Sequence, residues 1–371
     1  MERNVVITGI GLVLPQIQSL EDLWNLQLDE TARIEPLSDR VAGSRINPDE
    51  ISKRLPPRLS KKLDVFTKYA LIATEAALAD ADLDLDETDT ERCGVFVGNC
   101  FGGWQFTEKE LRNLHLAGPR AVSPFQATSW FPAAPQGQIT IKYGLKGFSK
   151  TFMADRMSSV VSIAAAASKI RSGILDVAIA GGTESTNTDM VRTGLEMIPT
   201  ANGEDDSEFD LSEGSVFVIL EDEDLARARG ARIYARVGEF SSVNSPCAAD
   251  VYPKNRDSYV RVMREAIGNE KPDVVLSDAC GLAECDASER DAIGQVLPNA
   301  TIMHPKDRLG HSFGAEGALD ISMACLMLHK SEMMPKSDST DNHSKINSIL
   351  VNTAAMGGGL ASLVLQKGDT Q

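Results

Sequence analysis

The chain has 371 residues, 42% hydrophobic and 24% charged, which is globular composition and length enough for two ordinary domains or one large duplicated one. Its 53 acidic residues outnumber 37 basic ones, and the formal charge of −16 repels phosphate backbones and argues against nucleic-acid binding. No apolar run approaches the ~20 residues of a membrane span, and six cysteines without a CxxC or framework spacing argue against a zinc site or disulfide scaffold, so the expected location is the reducing cytoplasm.

The opening MERNVVITGIGLVLP carries one neutral charged pair and no small-residue cleavage site, so it reads as a first strand rather than a signal peptide. Apolar, β-branched runs bounded by glycine recur at 94–98, 176–182 and 215–220. In the second half they return at 274–277, 301–303, 348–352 and 361–365. Runs that are apolar throughout predict strands buried on both faces. Helical spacing predicts helices over 67–82, 158–172, 289–296 and 318–329. Strand–helix alternation means an α/β layered fold. There is also a weak internal repeat. The run 176–182 leads to a glycine pair and a closing strand at 215–220, and 348–359 leads likewise to 361–365. This predicts two βαβ-rich halves, 1–222 and 223–371, with helices stacked between two sheets. Residues 202–210 and 336–345 read as polar loops.

Five segments, in order, resemble the β-ketoacyl synthases of the thiolase superfamily. VVITGIGLVL (5–14) is similar to their opening strand and turn, and GVFVGNCFGG (94–103) to their strand and glycine turn. EG with SVFVILE and ARARGARIYA (213–235) resembles the EGA-strand-HAxxRGA segment. KDRLGHSFG (306–314) resembles the KxxxGH motif, and MGGG (356–359) stands where the family has an FGG turn. The stretch 102–144, GGWQFTEKELRNLHLAGPRAVSPFQATSWFPAAPQGQITIKYG, narrows the resemblance to the chain length factor, or ketosynthase β-subunit, of type II polyketide synthases. There GG-aromatic-x-F-T-x-x-E is followed by a W-F segment and GQISIRHG. The resemblance spans nearly the whole chain and implies a thiolase-like αβαβα fold of two pseudo-repeated halves.

A condensing enzyme needs a thiol at a helix N-terminus, where backbone N–H groups and the dipole stabilise thiolate. It also needs two imidazoles to support decarboxylation and carbonyl charge. Gapless alignment of 147–173 places the nucleophile position on Arg156, and a slip of one would place it on Met157. Guanidinium stays protonated and a thioether has no removable proton, so neither attacks a thioester. Chain length factors commonly carry Gln here, from which Arg156 departs. The first histidine falls on Asp278, anchored by Asp286 eight positions on; a looser alignment puts Cys280 there. The second histidine and its lysine remain as His311 and Lys306. His311 is equally readable as a structural relic, Lys306 as a partner for buried carbonyls, and Cys280 and Cys100 as small apolar fillers. The opposite charges of Arg156 and Asp278, at positions in contact in active relatives, predict a charge-assisted pair plugging the vestigial pocket.

The resemblance implies a non-catalytic subunit that heterodimerises with a catalytic ketosynthase and has no cofactor of its own. Substrates ride on the phosphopantetheine of an acyl carrier protein. The growing poly-β-ketone on the partner's cysteine fills an interface tunnel whose length sets the product, here a short, octaketide-like aromatic one. Trp104, Thr107 and Leu111, spaced three and four, share a helical face as tunnel candidates, with Met190 and Met356 as further gate candidates. The same pattern fits interface core. Residues 151–154 are expected as the dimer strand with 125–131 nearby, leaving an apolar patch on an isolated subunit. The negative charge leaves the basic carrier-docking surface to the partner. The competing reading is a self-sufficient acyltransferase using Cys280.

Overall fold

The computed structural model describes residues 3–28, 46, 48–197, 211–333 and 346–368; the polar stretches 202–210 and 336–345 lie outside them. The apolar runs form strands: β1 (Val5–Val13), β2 (Cys93–Gly98), β3 (Lys150–Phe152), β4 (Val177–Glu184) and β5 (Gly214–Asp222), then β6 (Ala235–Asn244), β7 (Val274–Leu276), β8 (Thr301–Met303), β9 (Ser348–Ala355) and β10 (Gly359–Gln366). The six helices used below are α1 (Val65–Asp80), α2 (Trp104–Ala117), α3 (Ser158–Arg171), α4 (Arg256–Ile267), α5 (Ala283–Val296) and α6 (Glu316–Lys330).

The strands hydrogen-bond in the order β3-β2-β4-β5-β1-β6-β10-β9-β7-β8. Read outward from the middle, β1-β5-β4-β2-β3 is matched by β6-β10-β9-β7-β8, so the second half repeats the first in mirror order. The pairing types agree too: β4–β5 and β9–β10 are antiparallel, while β2–β3 and β7–β8 are parallel. Two separate sheets were expected; instead one sheet runs through both halves. Its seam is two residue pairs, Val6 with Arg236 and Ile7 with Ala235, which pair two strands that would otherwise be open edges. β6 escapes a search for apolar runs because its residues alternate in burial.

The two halves pack on a shared central layer of α3 and α6, each of which touches strands of both halves. α6 is apolar nearly all round, and 13 of its 15 residues are buried, as a helix enclosed by neighbours requires. α1 covers the outer face of the first half, and α4 and α5 that of the second. This gives αβαβα layering. The N-terminal ends of α3 and α6 meet at the centre, where Ala318 N–H donates to Ser159 Oγ at 2.9 Å. Among the described residues, no helix is long and apolar enough to cross a membrane, and no group of three metal-ligating side chains occurs.

Candidate functional site

Arg156 lies in the turn between β3 and α3, two residues before the first helical residue. Peptide dipoles favour an anion at such a place, so a guanidinium there needs negative charge from elsewhere. Its fully buried side chain finds it: Nη2 donates to Asp278 Oδ2 at 2.8 Å, and Nη1 stands 3.8 Å from Glu316 Oε1. The guanidinium carbon sits 4.4 Å from the centre of the Tyr252 ring, a cation–π contact. The expected Arg156–Asp278 pair is therefore present, single-pronged rather than bidentate. Burial works against the Arg156 charge, but Asp278, Tyr252 and Glu316 outweigh it and hold the proton more firmly than usual.

The retained lysine and histidine belong to the same cluster. Lys306 Nζ lies 2.7 Å from Glu316 Oε1 and 3.5 Å from both Asp278 Oδ1 and Asp320 Oδ2, and it donates to the Asp278 backbone carbonyl. His311 Nδ1 is 3.2 Å from Glu316 Oε2. Burial alone would raise the Glu316 carboxyl; Lys306, His311 and Arg156 instead hold it far below the usual range. Burial pushes Asp320 up to about 7.

Two further carboxylates escaped the sequence reading. Asp155, at φ 50°, accepts hydrogen bonds from Tyr252 Oη (3.2 Å) and from the Met356 N–H (2.9 Å), drawing Met356 to the Arg156 turn. Glu184, closing β4, accepts from the N–H groups of Cys100 (2.6 Å), Phe101 (3.2 Å) and Gly314 (3.2 Å). It thereby ties the glycine turn after β2 to the turn that carries His311. A Cβ on Gly314 would stand 2.5 Å from Asn99 Cα, so only glycine allows that approach. Burial pushes Glu184 up to about 8. Glu316 and Asp320 escaped the sequence reading too, although a signal was there: they stand four apart on a mostly apolar helix, hence on one face.

The two nearby thiols are both harder to ionise than usual. Cys100 Sγ donates to Asp155 Oδ1 at 3.5 Å, and burial together with Asp155 and Glu184 raises its thiol well above the usual range. Cys280 is buried; its contact with Cys285, then burial, raises its thiol strongly. α5 does begin just after it, at Ala283, but with Glu284 and Asp286 in its first turn.

Trp104, Thr107 and Leu111 lie on α2, all half-buried. Thr107 Oγ1 donates to Gly103 O (2.7 Å) and accepts from Gln126 Nε2 (3.0 Å). Met190 is exposed on the neighbouring helix Asp189–Glu196, and its N–H donates to Glu108 Oε2 at 3.4 Å. β3 is an outer strand of the sheet, and Met153 just beyond it is 55% exposed. Phe125, Trp130 and Phe131 are also exposed. Asn99 joins the two segments, with its N–H on Phe152 O (3.1 Å) and Nδ2 on Pro132 O (2.9 Å).

The family model of the β-ketoacyl synthase N-terminal domain matches residues 2–226, and that of the C-terminal domain residues 234–340. The chain belongs to the β-ketoacyl synthase family. This ketosynthase-family chain is 30% identical over 355 residues to the tetracenomycin polyketide synthase ketoacyl synthase beta subunit of Streptomyces glaucescens, covering 89% of the chain and 87% of the relative. It is 29% identical over 362 residues to 3-oxoacyl-(acyl-carrier-protein) synthase 2 of Staphylococcus aureus, with 90% and 87% covered. Among solved structures, it resembles one of a type II polyketide synthase acyl-carrier protein in complex with its ketosynthase bound to the hexaketide. That likeness has a TM-score of 0.82 at 27% identity, covering 99% of this chain and 100% of the other.

Proposed function

We propose that this chain is a chain length factor: a non-catalytic subunit that pairs with a catalytic ketosynthase of a type II polyketide synthase and shapes the tunnel its product grows into. The observation that carries this is Arg156, a permanently charged side chain at the nucleophile position, locked to Asp278 in a buried ionic cluster. Overall identity does not separate the two kinds of relative, at 30% and 29%; the chemistry of this position supports the first.

In the proposed complex the growing chain is a thioester on the partner's cysteine. An acyl carrier protein brings the malonyl extender on its phosphopantetheine arm. Loss of carbon dioxide leaves a carbanion that attacks the thioester carbonyl. The cysteine thiolate leaves, and the chain, two carbons longer, passes to the carrier. This subunit contributes walls. Pairing runs through β3 and the apolar residues of 125–131 and Met153, and Trp104, Thr107 and Leu111 face the tunnel, with Met190 and Met356 as further gate positions. The bulk of Trp104 and Leu111 favours a short product of the octaketide kind. The alternative, a self-sufficient synthase using Cys280, is opposed by that thiol's burial and raised pKa.

The test is reconstitution with a ketosynthase partner and carrier protein, with products sized by mass spectrometry. Overpacking a filled tunnel costs ~1–3 kcal/mol, and ~1.4 kcal/mol is tenfold in rate, enough to favour release over extension. Trp104→Ala should therefore yield a detectable fraction of longer chains at similar flux. An unchanged distribution would make Trp104 interface core. Cerulenin should label the partner's cysteine; an adduct on Cys280 or Cys100 would favour the alternative.

A further inference from the structure

α2 is held unlike α1. Of its 14 residues only Glu110 is fully buried, and Leu116 is 81% exposed. It lacks the broad apolar face that fastens α1, where 11 of 16 residues are buried. Its N-cap, Gly103, has no side chain to accept from the free N–H groups of the first turn. Ser129 O stands 2.1 Å from where a Gly103 Cβ would be, so no side chain fits there.

The missing acceptor comes from α1. Asp64 is the N-cap of that helix, and its Oδ1 accepts from the Phe66 N–H at 3.1 Å. Its Oδ2 accepts from the Phe106 N–H, in the first turn of α2, at 2.6 Å. One carboxylate thus starts two helices. It is 1% exposed, so water does not compete for it, and charge-assisted bonds to backbone N–H groups are the stronger kind. Two other polar holds on α2, Gln126 on Thr107 and the Ser123 N–H on Glu110 (2.7 Å), come from the partly exposed stretch that follows it, and a longer one, the Met190 N–H on Glu108 (3.4 Å), comes from the helix Asp189–Glu196. Asp64 instead joins α2 to a helix of the buried core.

We propose that Asp64 is the positioning residue of the gate: by capping α1 and α2 together it sets the depth of α2, and with it the length of chain that Trp104 and Leu111 admit. This rests on the chain-length reading above. The experiment uses the reconstituted heterodimer with Asp64→Asn, Asp64→Ala and, as a control, Ile293→Ala, a buried residue of α5 in the other half. Two quantities are read: hydrogen exchange at the Phe106 amide, and product-length distribution against total flux.

Asn retains one acceptor oxygen in place of two, so exchange at Phe106 should quicken at least tenfold. The share of off-length products should rise at least threefold, more than flux falls. Asp64→Ala should go further, and if it does not assemble, Asp64→Asn carries the test. Ile293→Ala should lower thermal stability and leave lengths alone. Unchanged Phe106 exchange overturns the proposal, as does an equal length shift in Ile293→Ala. If Trp104→Ala alters lengths and the Asp64 variants do not, positioning by Asp64 fails and the chain-length reading stands. If neither alters lengths, positioning by Asp64 fails and Trp104 is interface core.

Discussion

Around Arg156 the surroundings are charged and closed, whereas around Trp104 they are half open. Arg156, Asp278, Glu316, Asp320 and Lys306 are all buried and in ionic contact. Along α2, by contrast, Trp104, Thr107 and Leu111 are half-buried and Leu116 is exposed. A charge taken out of water must be answered inside the same chain, so the first region completes itself. Exposed side chains of this kind can wait for a partner, so under the proposed function the second region would be completed by assembly.

The sharpest way to break this comparison is to unbalance the cluster. Removing one member of a buried pair strands the other and typically costs ~3–5 kcal/mol, while removing both costs less. Arg156→Met should destabilise by about that amount in chemical denaturation, and Asp278→Asn in the same background should restore part of it. Strict additivity would mean that the 2.8 Å contact carries no coupling.

The open region should respond at its rim. Met153→Asp puts a charge on the exposed residue beside β3, and burying it unpaired against a ketosynthase is unfavourable. Co-purification with the partner should weaken at least tenfold, about 1.4 kcal/mol. The chain's far-ultraviolet circular dichroism should not change. Undiminished pairing would move the interface away from this edge.

The smallest expected effect is on pH dependence. Burial raises Asp320 to about 7 and Glu184 to about 8, so both bind a proton more tightly folded than unfolded. The stability each adds is complete below the ordinary carboxylate range and is lost as pH rises through its folded value. Glu316 works the other way: its carboxyl is held low, and its contribution disappears as the medium becomes strongly acidic. The melting temperature should fall from pH 6 to pH 9 by a few degrees; ~1 kcal/mol corresponds to about 2–4 °C for a domain of 150–250 residues. Asp320→Asn, permanently neutral, should flatten that fall, and an equally steep profile would remove Asp320 from the account.

Much of the fold was readable because strands buried on both faces leave continuous apolar runs. β6 was not, since its burial alternates, and β3 was not read from composition, being three residues long. At the site, Arg156, Asp278, Lys306 and His311 could be named from motif positions. Glu184 and Asp155 could not: each is a lone acid in a short turn or at a strand end, and its importance lies in the N–H groups it gathers from other loops.

The sequence by itself determined the alternation of strands and helices, the repeated half and the presence of Arg156 at the position the proposal assigns to the nucleophile. These are local properties, set by which side chain stands where in a run or motif. Only the tertiary structure decided how the buried charges are satisfied. Arg156 meets Asp278 across 122 positions of chain, and Asp64 reaches 42 positions to the backbone of α2. Whether such groups are neutralised depends on distances of 2.6–2.8 Å that packing creates. A charge's partner is set by the fold because the energy of a buried ion depends on what encloses it, and not on its neighbours in sequence.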